Sequence, residues 1–399
     1  MRKTFLIVSG LAAILTFQSE AQEVELSPDA TISLLTCGPG AEMYSYFGHS
    51  ALRVTDRANR INRVYNYGTF DFNVPDFYWQ FIKGKMYYLL SVTRFEGFLN
   101  EYISENRYVR ELPLMITPEE KQVLYELLEI NYLPENRHYW YDFIKDNCTT
   151  RIRDIVQKAT DSVYRWPEVA GDRLTFRQLI LPYLKAHPWA RTGILLLLTS
   201  GADQEASAGE YLFLPERMHQ GFARAEASSG RNLTGAERQI FTPVNTGKAP
   251  PFLFHPYLVI GILAAVSLFL GLRKFRHDWF VRLWFSLLFL ITGVLGSLFA
   301  FMWFCSAHWV CYANLNLAWA FPLHIILAAM IWFPKTAPVV RWYSSVMSVV
   351  VLLFLVTFVF WKQTVPLEGL LLAIATLSGL FRFSGLYQFL NPKPQDQAN

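Results

Sequence analysis

Lys145-Asp-Asn-Cys-Thr-Thr-Arg151 is the stretch on which the reading of the fold turns. Asp146 and Asn147 are helix-capping residue types, and Ile152, Ile155 and Val156 follow at helical spacing. The sequence therefore predicts a helix over 147–159 with Cys148 in its first turn. Amides at a helix start favour a thiolate, and Arg151 and Arg153 bring positive charge close by. The competing reading is a buried, inert cysteine. The polar neighbours on both sides of Cys148 argue against an apolar surrounding.

A reactive thiol needs a base, and the chain offers His49 in Tyr44-Ser-Tyr-Phe-Gly-His-Ser-Ala-Leu-Arg53. Gly48 lets another backbone segment come close, and a strand is predicted over 51–55. Further strands are expected over 32–37, ending at Gly38-Pro39-Gly40, and over 63–67, 87–93 and 108–112. Thr117-Pro-Glu-Glu120 is a capping box that starts a helix running to about residue 132. Thr175 caps a third helix, and the apolar run 194–198 is too short to span a bilayer, so it is core or dips into the membrane surface. An imidazole in a catalytic pair needs an orienting group, for which Asn66 and Asp71 are both candidates. Tyr44 and Tyr46 can donate to an oxyanion or simply pack.

Composition sets the surroundings. Of 399 residues, 52% are hydrophobic and 17% charged, so part of the chain belongs in lipid. The net charge of +4 is spread thinly, and no basic run or recognition motif points to a nucleic-acid partner. Arg2 and Lys3, an apolar stretch over 5–17 and Ser19-Glu20-Ala21 read as a secretory signal over 1–21 or as an uncleaved anchor. Residues 22–250 mix strands, helices and turns, and their last part, from about 230, is a polar linker. Residues 251–390 form a membrane domain of about five spans: 256–272, 279–304, 316–333, 343–361 and a weaker 367–381. Arg273, Lys274 and Arg276 lie between the first two, and Lys335 and Arg341 between the third and fourth. The loop over 305–315 has neither Lys nor Arg, which puts it outside with the soluble half.

Other chemistries find no support. There is no HExxH, no zinc-spaced cysteine pair, no phosphate or dinucleotide glycine loop and no G-x-S-x-G elbow, so neither metal nor cofactor is expected. Cys37 with Cys148, and Cys305 with Cys311, are possible disulfides in an exported chain. In the outer membrane loop, His308, Asn314, Asn316 and the more distant His324 are polar at membrane depth, and either bind substrate or bond helix to helix.

Histidine on a strand first, cysteine at a helix start last, is an order that resembles the circularly permuted papain-like enzymes, including NlpC-type hydrolases and the lecithin–retinol acyltransferase group. Leu34-Leu-Thr-Cys-Gly-Pro-Gly40, Phe47-Gly-His-Ser-Ala-Leu-Arg53, Tyr65-Asn-Tyr-Gly-Thr-Phe-Asp-Phe72 and Asp146-Asn-Cys-Thr-Thr-Arg151 look more closely like the lipoprotein N-acyltransferases of Bacteroides-type bacteria, the Lnb family. The likeness covers the soluble half, and the membrane half is similar as well, with His308 and Asn314-Leu-Asn-Leu-Ala-Trp319 before Pro322. It implies an α+β, permuted papain-like periplasmic domain followed by an all-α membrane domain in the inner membrane. It further implies transfer of a fatty acyl chain from a membrane phospholipid to the α-amino group of a diacylglyceryl lipoprotein, with Cys148 as nucleophile and His49 as base. Tyr44, Tyr46, Arg151 and His308 are then the candidates for contacting substrate. Two other readings use the same residues: a membrane-tethered cysteine hydrolase of the cell envelope with water as acceptor, and a non-enzymatic envelope protein that binds lipoproteins or membrane partners.

Overall fold

A computed structural model describes residues 24–70, 76–160, 164–166, 173–227, 229–244, 254–274 and 278–390. The export segment 1–21 and Asp71 lie outside the described residues. The soluble half is built on an antiparallel sheet of β1 (Thr31–Cys37), β2 (His49–Asp56), β3 (Ile61–Thr69), β4 (Met86–Arg94), β5 (Val109–Pro113), β6 (His138–Tyr141) and β9 (Arg238–Phe241). Their spatial order is β6-β4-β3-β2-β1-β5-β9. A two-residue pair, β7 (Tyr164–Arg165) with β8 (Glu226–Ala227), stands apart.

The central strand β1 is covered on both faces, and its side chains alternate accordingly. Ile32 and Leu34 join one core with Leu52, Tyr65, Leu90 and Leu112. Leu35 and Cys37 join another with Ala51, Val64 and Val109. The helices follow from the same division. α1 (Phe77–Lys83) and α2 (Phe95–Ser104) flank β4, and α2 closes the second core with Phe98 and Tyr102. α3 (Pro118–Tyr132) and α4 (Cys148–Ala159) close the first through Leu124, Leu128, Ile152 and Val156. Both predicted N-caps are present: Thr117 and Asn147 each complete a capping box, worth about 1 kcal/mol apiece. The expected cap at Thr175 starts α5 (Phe176–Ile180), which is followed by α6 (Pro188–Leu197) and α7 (Pro215–Arg224).

The second half is helical: α8 (Pro256–Leu272), α9 (Trp279–Phe304), α10 (His324–Met330), α11 (Ala337–Thr357), α12 (Leu367–Phe383) and α13 (Gly385–Leu390). Among the described residues, two helical runs are long and apolar enough to cross a membrane, Trp279–Phe304 and Pro334–Phe360. Their outer surfaces carry exposed Leu287, Ile291, Val294, Val349, Leu353 and Val356, as suits a lipid solvent.

The expected span over 316–333 is not a continuous helix. It is broken into a 3-10 turn (Leu315–Ala318), a bend and the short α10. The break falls at Pro322 and beside a close approach at Gly296 of α9, where a Cβ would lie only 1.9 Å from the Ala320 carbonyl oxygen. Gly296 lies eight residues before the end of α9, so the loop re-enters to a depth of roughly 12 Å. Irregular backbone at that depth must be buried in protein and bonded there. Asn314 and Asn316 do this, each donating through Nδ2 to the Leu196 carbonyl at 2.9 Å.

Leu196 belongs to α6, which is the shared element of the two halves. Leu196 packs into the membrane-half core while Leu195 packs with α5. The apolar run at 194–198 is therefore core, shared between the two halves. All four cysteines are free, so neither disulfide contemplated from the sequence is formed.

Candidate functional site

Cys148 is the first residue of α4, and His49 the first of β2. What lets them meet is Gly68. β3 shifts register between Asn66 and Thr69, and Gly68 sits there at φ 86°. A Cβ on Gly68 would lie 3.5 Å from the Cys148 Cβ, 3.9 Å from the His49 Cε1 and 3.9 Å from the Tyr139 hydroxyl. The three side chains therefore surround one small space that only glycine leaves open. Among the described residues no hydrogen bond joins the sulfur to the imidazole; the two are neighbours across this space.

Asn66 orients the ring: its Oδ1 is hydrogen-bonded to His49 Nε2. An amide oxygen only accepts, so the ring proton sits on Nε2 and the lone pair on Nδ1. Of the two orienting candidates, Asn66 is thus in contact with the imidazole. Burial, reinforced by the charge of Arg107 and opposed by the Asn66 bond, pushes the His49 pKa down to about 4.

The thiol is more enclosed than its polar neighbours in sequence suggested. Cys148 is 9% exposed and borders the core that holds Ile152 and Tyr139. Asn147, Thr149 and Thr150 turn inward because they bond one another: Asn147 Oδ1 accepts from the Thr149 and Thr150 amides at 2.9 and 3.0 Å. Burial raises the Cys148 pKa to about 11, against the pull of the Ser50, Thr149 and Cys148 amides. The expected arginine assistance is missing. Arg151 is held by Asp146 at 2.6 and 2.7 Å and lies over the Tyr139 ring at 3.8 Å. Arg153 binds Asp154 and the Gly209 carbonyl. The resting pair is a neutral thiol beside a neutral imidazole, because burial outweighs the helix amides.

A pH dependence follows. His49 is an available base above its depressed pKa and is lost as a base only when pH falls through about 4. Acylation of Cys148 is expected to keep its rate from neutrality down to about pH 5, whereas an ordinary histidine would lose half by about 6.5. Asn66→Asp places a carboxylate on the ring, favours the imidazolium and moves that acid limb upward. Single-turnover acylation measured across pH checks this; an acid limb between 6 and 7 in the unaltered chain contradicts the assignment.

The remaining candidates are placed elsewhere. Tyr44 packs edge-on against Phe70, and Tyr46 stacks on His187 at 3.7 Å. The sequence did not single out Tyr139 or Gly68. A glycine within a strand pattern signals a bulge and could have flagged Gly68, but nothing in His138-Tyr-Trp-Tyr141 distinguishes one hydroxyl. Arg151, with Lys145, Lys158 and Asn131, lines a cavity of ≈ 380 Å³ on the flank of α4. His308 meets the soluble half: its Nε2 is 2.9 Å from the Phe81 carbonyl of α1.

That contact is one of several that set the site against the membrane half. The Ala307 amide donates to the Lys83 carbonyl, and Trp79 packs on Phe301. Lys145, three residues before the thiol, lies 4.3 Å over Trp309 of the outer loop. The loop that delivers His49 rests on the same support, with Phe47 against Tyr183 and Tyr46 against His187, the residue that precedes α6. Thiol and imidazole are therefore carried on elements braced by the re-entrant loop and α6.

Residues 19–181 match the family model described as the Lnb N-terminal periplasmic domain, and residues 248–384 match the Lnb transmembrane domain. No curated protein and no solved structure matches the chain. Between them the two models take in most of the chain, so it belongs to the Lnb family, as a membrane protein with a periplasmic N-terminal domain and a helical transmembrane domain.

Proposed function

We propose that this chain is a lipoprotein N-acyltransferase of the inner membrane. It takes a fatty acyl group from a membrane phospholipid onto Cys148 and passes it to the α-amino group of the lipid-modified N-terminal cysteine of a lipoprotein. The observation that carries the reading is the Cys148–His49–Asn66 arrangement, braced on the outer loop of a membrane domain. Family membership supports the same class of activity. We read the soluble half as a permuted papain-like domain, since imidazole and thiol open a strand and a helix in that order.

In the first half-reaction, the sulfur bonds to the ester carbonyl carbon as His49 Nδ1 takes the thiol proton. The ester C–O bond then breaks, and the imidazolium gives its proton to the departing lysophospholipid alkoxide. In the second, the neutral amine attacks the thioester, the C–S bond breaks, and the proton released by nitrogen returns to sulfur through His49. The neutral resting pair suits a buried site: charge appears only as the bond forms, so no ion pair has to be held out of water between turnovers. The siting also suits the substrates, because lifting acyl chains into water costs about 0.8 kcal/mol per methylene.

The test uses the full chain in phospholipid nanodiscs. Intact mass should show one acyl adduct, confined to the peptide that contains Cys148 and lost with hydroxylamine. Adding a diacylglyceryl-cysteinyl peptide should release the acyl group as its amide. Release at one rate with or without the peptide amine would instead make the protein a hydrolase.

A further inference from the structure

The Tyr139 ring belongs to the core, but its hydroxyl is not used to hold it there among the described residues. Tyr139 is 5% exposed, and its hydroxyl has no hydrogen-bond partner among the described residues. Native structures seldom tolerate such an atom without a reason. Its neighbour Tyr67, 6.4 Å away between ring centres, is satisfied by Asn131. The Tyr139 hydroxyl instead faces the space at Gly68 that it shares with Cys148 and His49.

A second donor looks into the same space. In the first turn of α4, Asn147 takes the Thr149 and Thr150 amides with its side chain and the Arg151 amide with its carbonyl. The Cys148 amide is not taken by Asn147 and lies, with the Ser50 and Thr149 amides, against the sulfur. Arg151, clamped by Asp146, holds a cation against the Tyr139 ring, which makes the phenol a stronger donor toward a developing negative charge.

We propose that the Tyr139 hydroxyl and the Cys148 amide form the hole that receives the oxyanion when an acyl carbonyl is attacked at Cys148. The inference deepens the acyl-transfer reading and rests on it. As sulfur bonds to the carbonyl carbon, the carbonyl π pair moves onto oxygen, and that oxygen accepts hydrogen bonds from both donors. No proton leaves Tyr139. When the ester C–O bond breaks, the pair returns to the carbonyl and both donors relax. The same hole serves the second half-reaction, in which the amine attacks the thioester.

The experiment compares the full chain with Tyr139→Phe in nanodiscs, using p-nitrophenyl octanoate and iodoacetamide as separate probes of Cys148. Acylation passes through an oxyanion; alkylation is a direct displacement and does not. Tyr139→Phe should slow acylation by the nitrophenyl ester on the order of 10²-fold. It should leave the alkylation rate within about twofold and the melting temperature unchanged or raised, since the variant removes an unpaired buried hydroxyl. Equal losses in acylation and alkylation would make Tyr139 a support for the thiol and overturn the proposal, as would unimpaired acylation. Acylation by the nitrophenyl ester without acylation by phospholipid would refute the donor assignment and leave Tyr139 to be judged on the first probe. If the unaltered chain accepts an acyl group from neither ester, proposal and reading fall together.

Discussion

Cys148→Ala is expected to lower acyl transfer to lipoprotein by a factor on the order of 10⁴ or more while leaving the protein folded. Of the groups beside Gly68, His49 is assigned the base in the proposed mechanism, and burial holds the Tyr139 pKa far above neutrality, which leaves Cys148 as the proposed nucleophile. Losing one buried sulfur from the edge of the core should cost about 1 kcal/mol, well inside the reserve of a stable domain. Cys148→Ser should fare little better. A hydroxyl is a far weaker acid than a thiol, and a base whose pKa lies at about 4 gives it little help. The measurement is product formation from phospholipid and a diacylglyceryl peptide, with near-ultraviolet circular dichroism as the fold control. Activity above about a tenth of the unaltered level in either variant would move the nucleophile elsewhere, and full complementation by Cys148→Ser would favour a binding role over catalysis.

The residues that could be read in advance are those whose local chemistry is written in neighbours along the chain. Asn147 before Cys148 and Thr117 before Pro118 announce helix starts, and both caps form. The run 32–37, ending at Gly38-Pro39-Gly40, announces a strand, and β1 buries both its faces. At the candidate site, the thiol and imidazole picked out from the sequence lie beside one another, but their electrostatics differ from what their neighbours along the chain suggested. Helix amides and arginines near in sequence argued for a thiolate, whereas the fold buries the sulfur and ties both arginines to aspartates. The broken third span was legible only in part. Residues 316–333 are apolar enough to be a span, but Pro322 interrupts the helix locally and the fit of Gly296 against Ala320, 24 positions apart, packs the broken segment against α9. Pro322 was the local sign of the break, whereas the packing partner Gly296 has none.

Arg177→Ala is expected to have the largest effect on stability and, through α6, to disable the enzyme on membrane substrates. The Arg177 side chain is 5% exposed and pairs with Asp203, itself 10% exposed, at 2.7 and 3.0 Å. Its remaining donors hold the Leu195 and Leu198 carbonyls at the end of α6 at 3.2 and 3.0 Å. Asp203 in turn accepts the Thr364 amide, which precedes α12 in the membrane half, at 2.9 Å. Removing the guanidinium leaves a buried carboxylate and two helix-end carbonyls unpaired, which should cost about 3–5 kcal/mol. The loss is local: it loosens the end of α6 that Asn314 and Asn316 grip from the other side, while β2, β3 and α4 keep their own core. Hydrogen exchange should therefore rise first over 195–199. Acylation of Cys148 from phospholipid should fall far more than acylation by a small nitrophenyl ester, because only the former depends on a site seated on the bilayer. Equal losses on the two esters would show that α6 supports the catalytic pair itself and not its seating. An unchanged melting temperature would mean that water reaches and satisfies the groups Arg177 now holds.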